Sequence, residues 1–329
     1  MPQNSFPFAS IVIKSKELKI LDKNKILKLI ACENAKAAAG LLMEWGYGGG
    51  DPESAEGYEN LISREMEEAY ALVCKITPDR ETTDLFFLRH DYHNLKVFLK
   101  SEETGAGANM RNLVKYGTIE LAALLCAVQE KKYGGLTEYM QKALLEIDRA
   151  FLITRDLSLI DVTLDRAYAE EVYERIARRE GFIKKFFRQF FDFENILILM
   201  RARAAKLSSD LFMRALLPEG AIGKADLKKA YEAPEEDIKT IIAKGEFAGE
   251  IASALDAYFS SGNLQIFEKL RDDTLLKTAG EDKNDLFSIA PVVHFLIRKE
   301  REAKAVKMAM AAKLFGLQTD DVQKILVEV

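Results

Sequence analysis

One segment of the chain occurs twice at a constant spacing, and this repetition constrains the fold more than any other feature. The stretch HDYHNLKVFLK, which begins at His90, is followed 101 residues later by FDFENILILMR. In the two copies Asp91 matches Asp192 and Asn94 matches Asn195. Self-similarity at a fixed period indicates a chain built from copies of one structural unit. The fold must therefore place similar elements in similar surroundings more than once.

A break in the helical pattern follows each copy. YGTI contains Gly117 and follows the first copy, and EGAI contains Gly220 and follows the second, 103 residues further on. A third, fainter copy places Glu302 in the acid position and Ala305 in the Asn position. Gly117 lies 23 residues after Asn94, and the residue 23 positions after Ala305 is Glu328. Three copies then account for the chain, with predicted boundaries at 1–115, 116–218 and 219–329.

Apolar periodicity predicts that these units are helical. In YENLISREMEEAYALV the apolar residues recur three or four positions apart, which forms one stripe on a helix. The chain has only seven prolines, and Ala, Leu, Glu, Lys and Arg are frequent throughout. No run of five or more residues alternates in the way a strand would. The sequence predicts an all-α fold made of three similar helical bundles.

Composition narrows the classes of function. The 329 residues include 47 Lys and Arg against 52 Asp and Glu, so the net charge of -5 gives no general attraction to nucleic acid. The three cysteines show neither CxxC nor CxH spacing, as expected for free thiols in a reducing compartment. The longest uncharged runs hold about twelve or thirteen residues, whereas a membrane span needs roughly 20. No signal peptide is recognised, and a cytosolic protein is expected.

His90 and His93 raise the question of a metal site. Their counterparts in the second copy are Phe191 and Glu194, so the pair belongs to one copy only. The acid and the Asn three residues later do recur, and they share one helical face with apolar side chains. We interpret them as buried polar groups that bond to a backbone turn or to an Arg of a neighbouring helix. This structural signature, which is not an interface, consists of Asp91, Asn94, Asp192, Asn195 and Glu302.

Other interpretations of the residues stay open. One is a helical metal-dependent hydrolase that uses His90, Asp91 and His93, and another is a generic helical-repeat scaffold. A basic stretch near Arg178 and Lys184 is interleaved with phenylalanines, which is a pattern that could suggest nucleic acid. The phenylalanines fall at core spacing, so we favour a solvated face over a packed stripe. No catalytic, cofactor-binding or metal-binding residue is predicted.

Several segments together resemble the C subunit of archaeal and bacterial V-type ATPases and ATP synthases, whose eukaryotic relative is the d subunit. They are FASIVIKSKELKIL, GLLMEWGYGG, DYHNLK, DFENI and KEREAKAVKMAMAAKLFGL. The resemblance covers nearly the whole chain and rests on the order and spacing of these segments and on the threefold repetition. One departure is Ala305, where the family pattern usually has Asn.

The resemblance implies a fold and a role. Members of this family are helical funnels made of three similar units around a pseudo-threefold axis. Each is a non-catalytic part of the rotor, seated on the membrane proteolipid ring and holding the D and F subunits of the shaft. The implied protein is cytoplasmic and peripheral to the membrane, without a span of its own. It needs no cofactor and binds no nucleic acid.

Overall fold

The computed structural model describes residues 5–49, 57–105, 112–154 and 156–316. These residues form fifteen α-helices and no β-strand, which confirms the predicted all-α class. In this part of the chain no helix combines the length and the apolar character that crossing a membrane requires.

The helices have lengths ordinary for helical bundles, apart from three that exceed 22 residues. The first eight are α1 (Phe6–Glu17), α2 (Lys23–Ala31), α3 (Ala35–Glu44), α4 (Tyr58–Ile76), α5 (Arg80–Thr104), α6 (Leu121–Glu130), α7 (Glu138–Phe151) and α8 (Ser158–Ala177). The other seven are α9 (Phe182–Ala204), α10 (Ser209–Ala215), α11 (Lys224–Glu232), α12 (Glu235–Ile242), α13 (Ala248–Ser261), α14 (Gln265–Glu281) and α15 (Ala290–Phe315). The three longest, α5, α9 and α15, carry the repeated segment.

The chain forms two compact units, and each has its own core. One consists of Met1–Thr83 with Ala279–Val329, and the other of Asp84–Thr278. The three boundaries expected from the repeat, and the pseudo-threefold arrangement, stay predictions.

In the first unit, α15 lies at the centre and packs against α1, α2, α3 and α4. It begins with Pro291 in its first turn, where a missing N–H costs nothing, and it ends before Gly316, whose φ of 67° closes the helix. Ala305, Val306 and Ala309 join Leu21 and other apolar side chains of α2 and α3 in one buried cluster. Small side chains at these positions allow neighbouring helices to approach α15 closely.

In the second unit, α9 packs against α8, α10 and α11. Its buried face includes Ile196, Leu199 and Met200, which share a core with α11, α12 and α13. Phe186 and Phe187, from the basic stretch, are buried and pack on Phe86 with ring centroids 5.5 and 5.1 Å apart. These aromatic rings therefore belong to the core, as their spacing indicates.

Candidate functional site

The best-buried acid on each long helix binds the backbone of a break between helices. On α5 the carboxylate of Asp91 accepts hydrogen bonds from the N–H of Thr118 at 2.9 Å and from its hydroxyl at 2.6 Å. The N–H of Ile119 donates to the same carboxylate at 3.2 Å. Ile119 directly precedes Glu120, the N-cap of α6. We call this contact between a carboxylate and the residues before a helix a clamp.

The clamp on α9 repeats the same geometry. Asp192 accepts from the N–H of Ala221 and from the N–H of Ile222, both at 2.8 Å. Gly223, the next residue, is the N-cap of α11. Arg188 adds a hydrogen bond from its guanidinium to the carbonyl oxygen of Gly220 at 2.7 Å. Each clamp therefore satisfies N–H groups just before a helix and fixes where that helix begins.

The glycine in each break lies too close to the clamp for a side chain. A Cβ on Gly117 would stand 1.9 Å from Oδ1 of Asp91. A Cβ on Gly220 would stand 2.3 Å from Oδ1 of Asp192 and equally close to the carbonyl oxygen of Arg188. These separations are far below van der Waals contact, so the close approach requires glycine.

The recurring Asn holds the break at a second point. Oδ1 of Asn94 accepts from the N–H of Val114 at 2.9 Å, and its Nδ2 donates to the carbonyl of Val114 at 2.8 Å. Asn195 accepts from the N–H of Leu217 at 2.9 Å and donates to the carbonyl of Pro218 at 3.1 Å. Val114 and Leu217 lie in irregular segments. The amides thus supply hydrogen bonds that no regular structure provides there.

The third acid completes its clamp with a residue from the other end of the described chain. Oε1 of Glu302 accepts from the N–H of Leu21 at 2.5 Å. Leu21 is buried and directly precedes Asp22, the N-cap of α2, just as Ile119 and Ile222 precede theirs. Counting along the sequence assigns the third break to Glu328, which lies outside the described residues.

Comparing the positions within the three breaks explains why residue 305 is Ala and not Asn. The Asn partners lie five residues before Ile119 and Ile222, and the equivalent residue before Leu21 is Lys16. Lys16 is inside α1, and its carbonyl also accepts the N–H of Lys19 at 3.0 Å. Because helical backbone groups bond to each other, no side-chain amide is needed there.

Burial dominates the electrostatics of the clamps. Desolvation raises the pKa of Asp91 to about 6, although the Thr118 hydroxyl and the N–H donors favour the charged form. Desolvation also raises the pKa of Asp192 and of Glu302. In the case of Glu302 the ammonium of Lys299, which bonds to it, opposes the shift. Lys299 also bonds to Glu65, so it lies between two carboxylates.

The two histidines of the first copy have separate contacts. The ring of His90 packs edge-on against Tyr116 with centroids 4.9 Å apart, and desolvation lowers the pKa of His90 well below its ordinary value. Nε2 of His93 lies 2.8 Å from the carbonyl oxygen of Asn112. Among the described residues, no group of three or more His, Cys, Asp or Glu side chains is arranged around a metal position. The Asp91 carboxylate between the two histidines binds Thr118, so these contacts give the hydrolase interpretation no support.

One buried acid was not predicted from the repeat, because it lies outside the repeated segments. Glu171 on α8 is buried and accepts from the hydroxyls of Tyr92 at 2.7 Å and Thr137 at 2.8 Å, and from Arg175. Burial and the Glu171 charge raise the pKa of Tyr92. The signal in the sequence is a Glu and an Arg four residues apart, which is too common on helices to single out one pair. Leu21 was missed as well, although an aliphatic residue directly before an N-cap marks all three breaks.

Comparison with known proteins finds a matching family and several relatives of this chain. A family model described as ATP synthase (C/AC39) subunit matches residues 12–325. The chain is 22% identical to the C subunit of the A-type ATP synthase of Methanocaldococcus jannaschii, across 98% of this chain and 86% of that protein. It is 28% identical to the protein of the same name from Methanothermobacter thermautotrophicus, across 78% and 70%. It is 21% identical to the C subunit of the V-type sodium ATPase of Enterococcus hirae, across 92% of each chain.

Proposed function

This chain belongs to the ATP synthase (C/AC39) subunit family, and we propose that it is a non-catalytic central-stalk subunit of a rotary V-type or A-type ATPase or ATP synthase. In this role it couples the rotating shaft, formed by the D and F subunits, to the membrane proteolipid ring. Through this coupling, ATP hydrolysis drives ion transport, or ion transport drives ATP synthesis. The names of the relatives, which are C subunits of such complexes, support the proposal.

The observation that carries the proposal is the use made of the buried acids. Asp91, Asp192 and Glu302 bind backbone N–H groups at the starts of helices. Fully bonded polar groups in a low-dielectric interior hold helices in one arrangement, because any shift leaves a charge without its partners. A part that transmits torque needs this resistance to deformation and needs no chemistry of its own.

The proposed location follows from the proposed role. A subunit between a shaft and a membrane ring lies in the cytoplasm, at the membrane surface, and is bound there through other subunits. Its contacts with those subunits would be polar, as expected of surfaces that stay hydrated before assembly.

Reconstitution tests the role directly. The catalytic head, shaft and ring are assembled with and without this chain, and ATP hydrolysis and ion uptake into vesicles are measured together. We expect hydrolysis without ion uptake when the chain is omitted, and recovery of uptake when it is added back. ATP hydrolysis by the isolated chain, or undiminished ion uptake in its absence, would contradict the proposal.

Capture of partners provides a second test. The tagged chain is incubated with the purified D and F subunits of the shaft and, separately, with the detergent-solubilised ring. We expect retention of both, and an unrelated helical protein of similar net charge serves as the control. Retention of neither would count against the proposed position in the complex.

A further inference from the structure

A cavity of about 350 Å³ opens beside the first turns of α9. Its floor is apolar and is formed by Phe193, Ile222, Phe247 and Ile251, all of which are buried. The volume falls at the lower end of the range for ligand sites, and it is sufficient for one large side chain. The cavity lies within the second compact unit and next to the α9 clamp, whose Asp192 is already bonded to the break.

The rim of this cavity is basic. Lys184, Lys185 and Arg188 of α9 and Lys244 from the segment after α12 line it. Glu180 and Glu246 also line the cavity and pair with two of these lysines, and Asp226 lies 2.7 Å from Lys244, but all three pairs are exposed. The Glu180 side chain is 89% exposed and lies 3.4 Å from Lys184, and Glu246 is 51% exposed and lies 3.2 Å from Lys185. Exposed ion pairs of this kind contribute little, so incoming carboxylates can replace these acids.

The sequence around the rim strengthens the positive charge. Between Arg175 and Arg188 the chain has six basic residues and one acid, Glu180, whereas the whole protein has a net charge of -5. Because the phenylalanines of this stretch pack in the core, its basic side chains are left on the solvent side. A local positive field of this kind attracts and orients acidic partners.

We propose that this cavity is a docking site for an acidic segment of a partner protein that carries one large apolar side chain. The apolar side chain packs on the floor formed by Phe193 and Phe247, whose rings contact each other with centroids 6.2 Å apart. Flanking carboxylates pair with Lys184 and Lys185 in place of the exposed acids. This combination of an apolar anchor with charged flanks gives both affinity and orientation. The proposal does not depend on the rotor role and concerns a surface of the isolated chain.

A labelled peptide tests the proposal. The probe is a fluorescein-labelled peptide with a central Phe flanked on both sides by Glu residues, and binding is followed by fluorescence anisotropy. Two matched peptides replace every Glu by Gln or the Phe by Ser. We expect saturable binding of the first peptide that weakens as salt is added, and binding of each matched peptide weaker by about tenfold or more.

Variants of the chain locate the binding. Lys184→Glu with Lys185→Glu reverses the rim charge, and Ala221→Phe fills the cavity from an exposed position on its lining. We expect either change to weaken binding of the acidic peptide by about tenfold or more. The control is Lys131→Glu with Lys132→Glu, an adjacent and exposed lysine pair outside the cavity, which should leave binding unchanged. Circular dichroism confirms that each variant is folded.

Three results would overturn the proposal. The first is the absence of saturable binding up to about 1 mM peptide, an affinity too weak for specific docking. The second is equal binding by the cavity variants and the wild type. The third is tighter binding of a mixed-sequence oligonucleotide, or of phosphatidylserine vesicles, through the same two lysines, since this would assign the surface to a different class of partner.

Discussion

The carboxylate of Glu302 accepts a hydrogen bond from the N–H of Leu21 at 2.5 Å, although the two residues are 281 positions apart. On α5 and α9 the acid binds a break that follows within about thirty residues. On α15 the equivalent break precedes α2 at the other end of the described chain. The third clamp therefore holds together the first and last elements of the first compact unit.

Replacing Glu302 should strongly destabilise the protein. Glu302→Ala removes the acceptor of the Leu21 N–H and leaves the buried Lys299 with Glu65 alone. Breaking a buried charge pair in this way costs about 3–5 kcal/mol. Urea unfolding followed by circular dichroism measures the change.

Two further variants identify the cause. Glu302→Gln keeps an acceptor for Leu21 but loses the charge, and we expect an intermediate loss. Glu33→Ala removes an exposed acid of the same unit and should change the free energy of unfolding by no more than about 0.5 kcal/mol. If Glu302→Ala were as stable as Glu33→Ala, the clamp would have no structural role.

The class of fold could be predicted from the sequence, whereas the partners of the clamps could not. Helical periodicity is a local signal, and the all-α class follows from it. The recurring acids and amides could be predicted because a comparison of the copies detects the identity of each side chain. Their donors at Thr118 and Ala221 are backbone N–H groups, which every residue except proline has, so the sequence carries no mark of them. Leu21 was not predicted because each break was sought after its repeated segment, whereas the third break lies before the first repeated segment.

Alanine at either glycine of the breaks should destabilise the fold. A Cβ at residue 117 would overlap the bonded Asp91 carboxylate, and one at residue 220 would also overlap a backbone oxygen, that of Arg188. We expect losses of about 1–3 kcal/mol, with the larger loss for Gly220→Ala because backbone yields less than a side chain. Gly134→Ala is the matched control, since no atom lies within 4 Å of its added Cβ. Thermal unfolding of the three variants would contradict this account if all of them melted alike.

The clamp on α5 should make stability depend on pH in an unusual direction. The pKa of Asp91 is raised from 3.8 to about 6 in the folded protein because of burial. The folded state therefore holds the proton more tightly than the unfolded state between these values. The contribution of the Asp91 carboxyl group to the free energy of unfolding is fully present below about pH 4. This contribution, about 3 kcal/mol, is lost as the pH rises to about 6.

A comparison with Asp91→Asn isolates this contribution. Asn does not titrate, so the difference in unfolding free energy between wild type and variant should shrink as the pH rises from about 4 to about 6. The raised pKa values of Asp192 and Glu302 act equally in both proteins and cancel. The lowered pKa of His90 acts in the opposite direction and also cancels. Parallel stability curves of the wild type and the variant over this range would contradict the prediction, because Asp91 would then have the same pKa in the folded and unfolded states.

Converting the histidine pair to its counterparts of the second copy should leave the protein folded. His90→Phe keeps an aromatic ring on Tyr116, and His93→Glu removes the contact with Asn112 at an exposed site. We expect the double variant to stay within about 1 kcal/mol of the wild type. Metal analysis of both purified proteins should give the same content. Loss of a bound transition ion from the variant would revive the hydrolase interpretation.

Restoring the amide at residue 305 should harm the protein, although the same amide stabilises the other two copies. Ala305→Asn would place a polar group in a buried apolar cluster. The carbonyl of Lys16, the residue that corresponds to Val114 and Leu217, already accepts the N–H of Lys19. An unsatisfied buried amide costs about 1–3 kcal/mol. Ala305→Leu adds a larger side chain without polarity, so any excess loss of the Asn variant over the Leu variant comes from the unsatisfied amide and not from volume. Asn195→Ala should also destabilise, because the Leu217 N–H loses its acceptor. If Ala305→Asn were as stable as the wild type, a partner for the amide would exist, and the correspondence between Lys16 and Leu217 would be wrong.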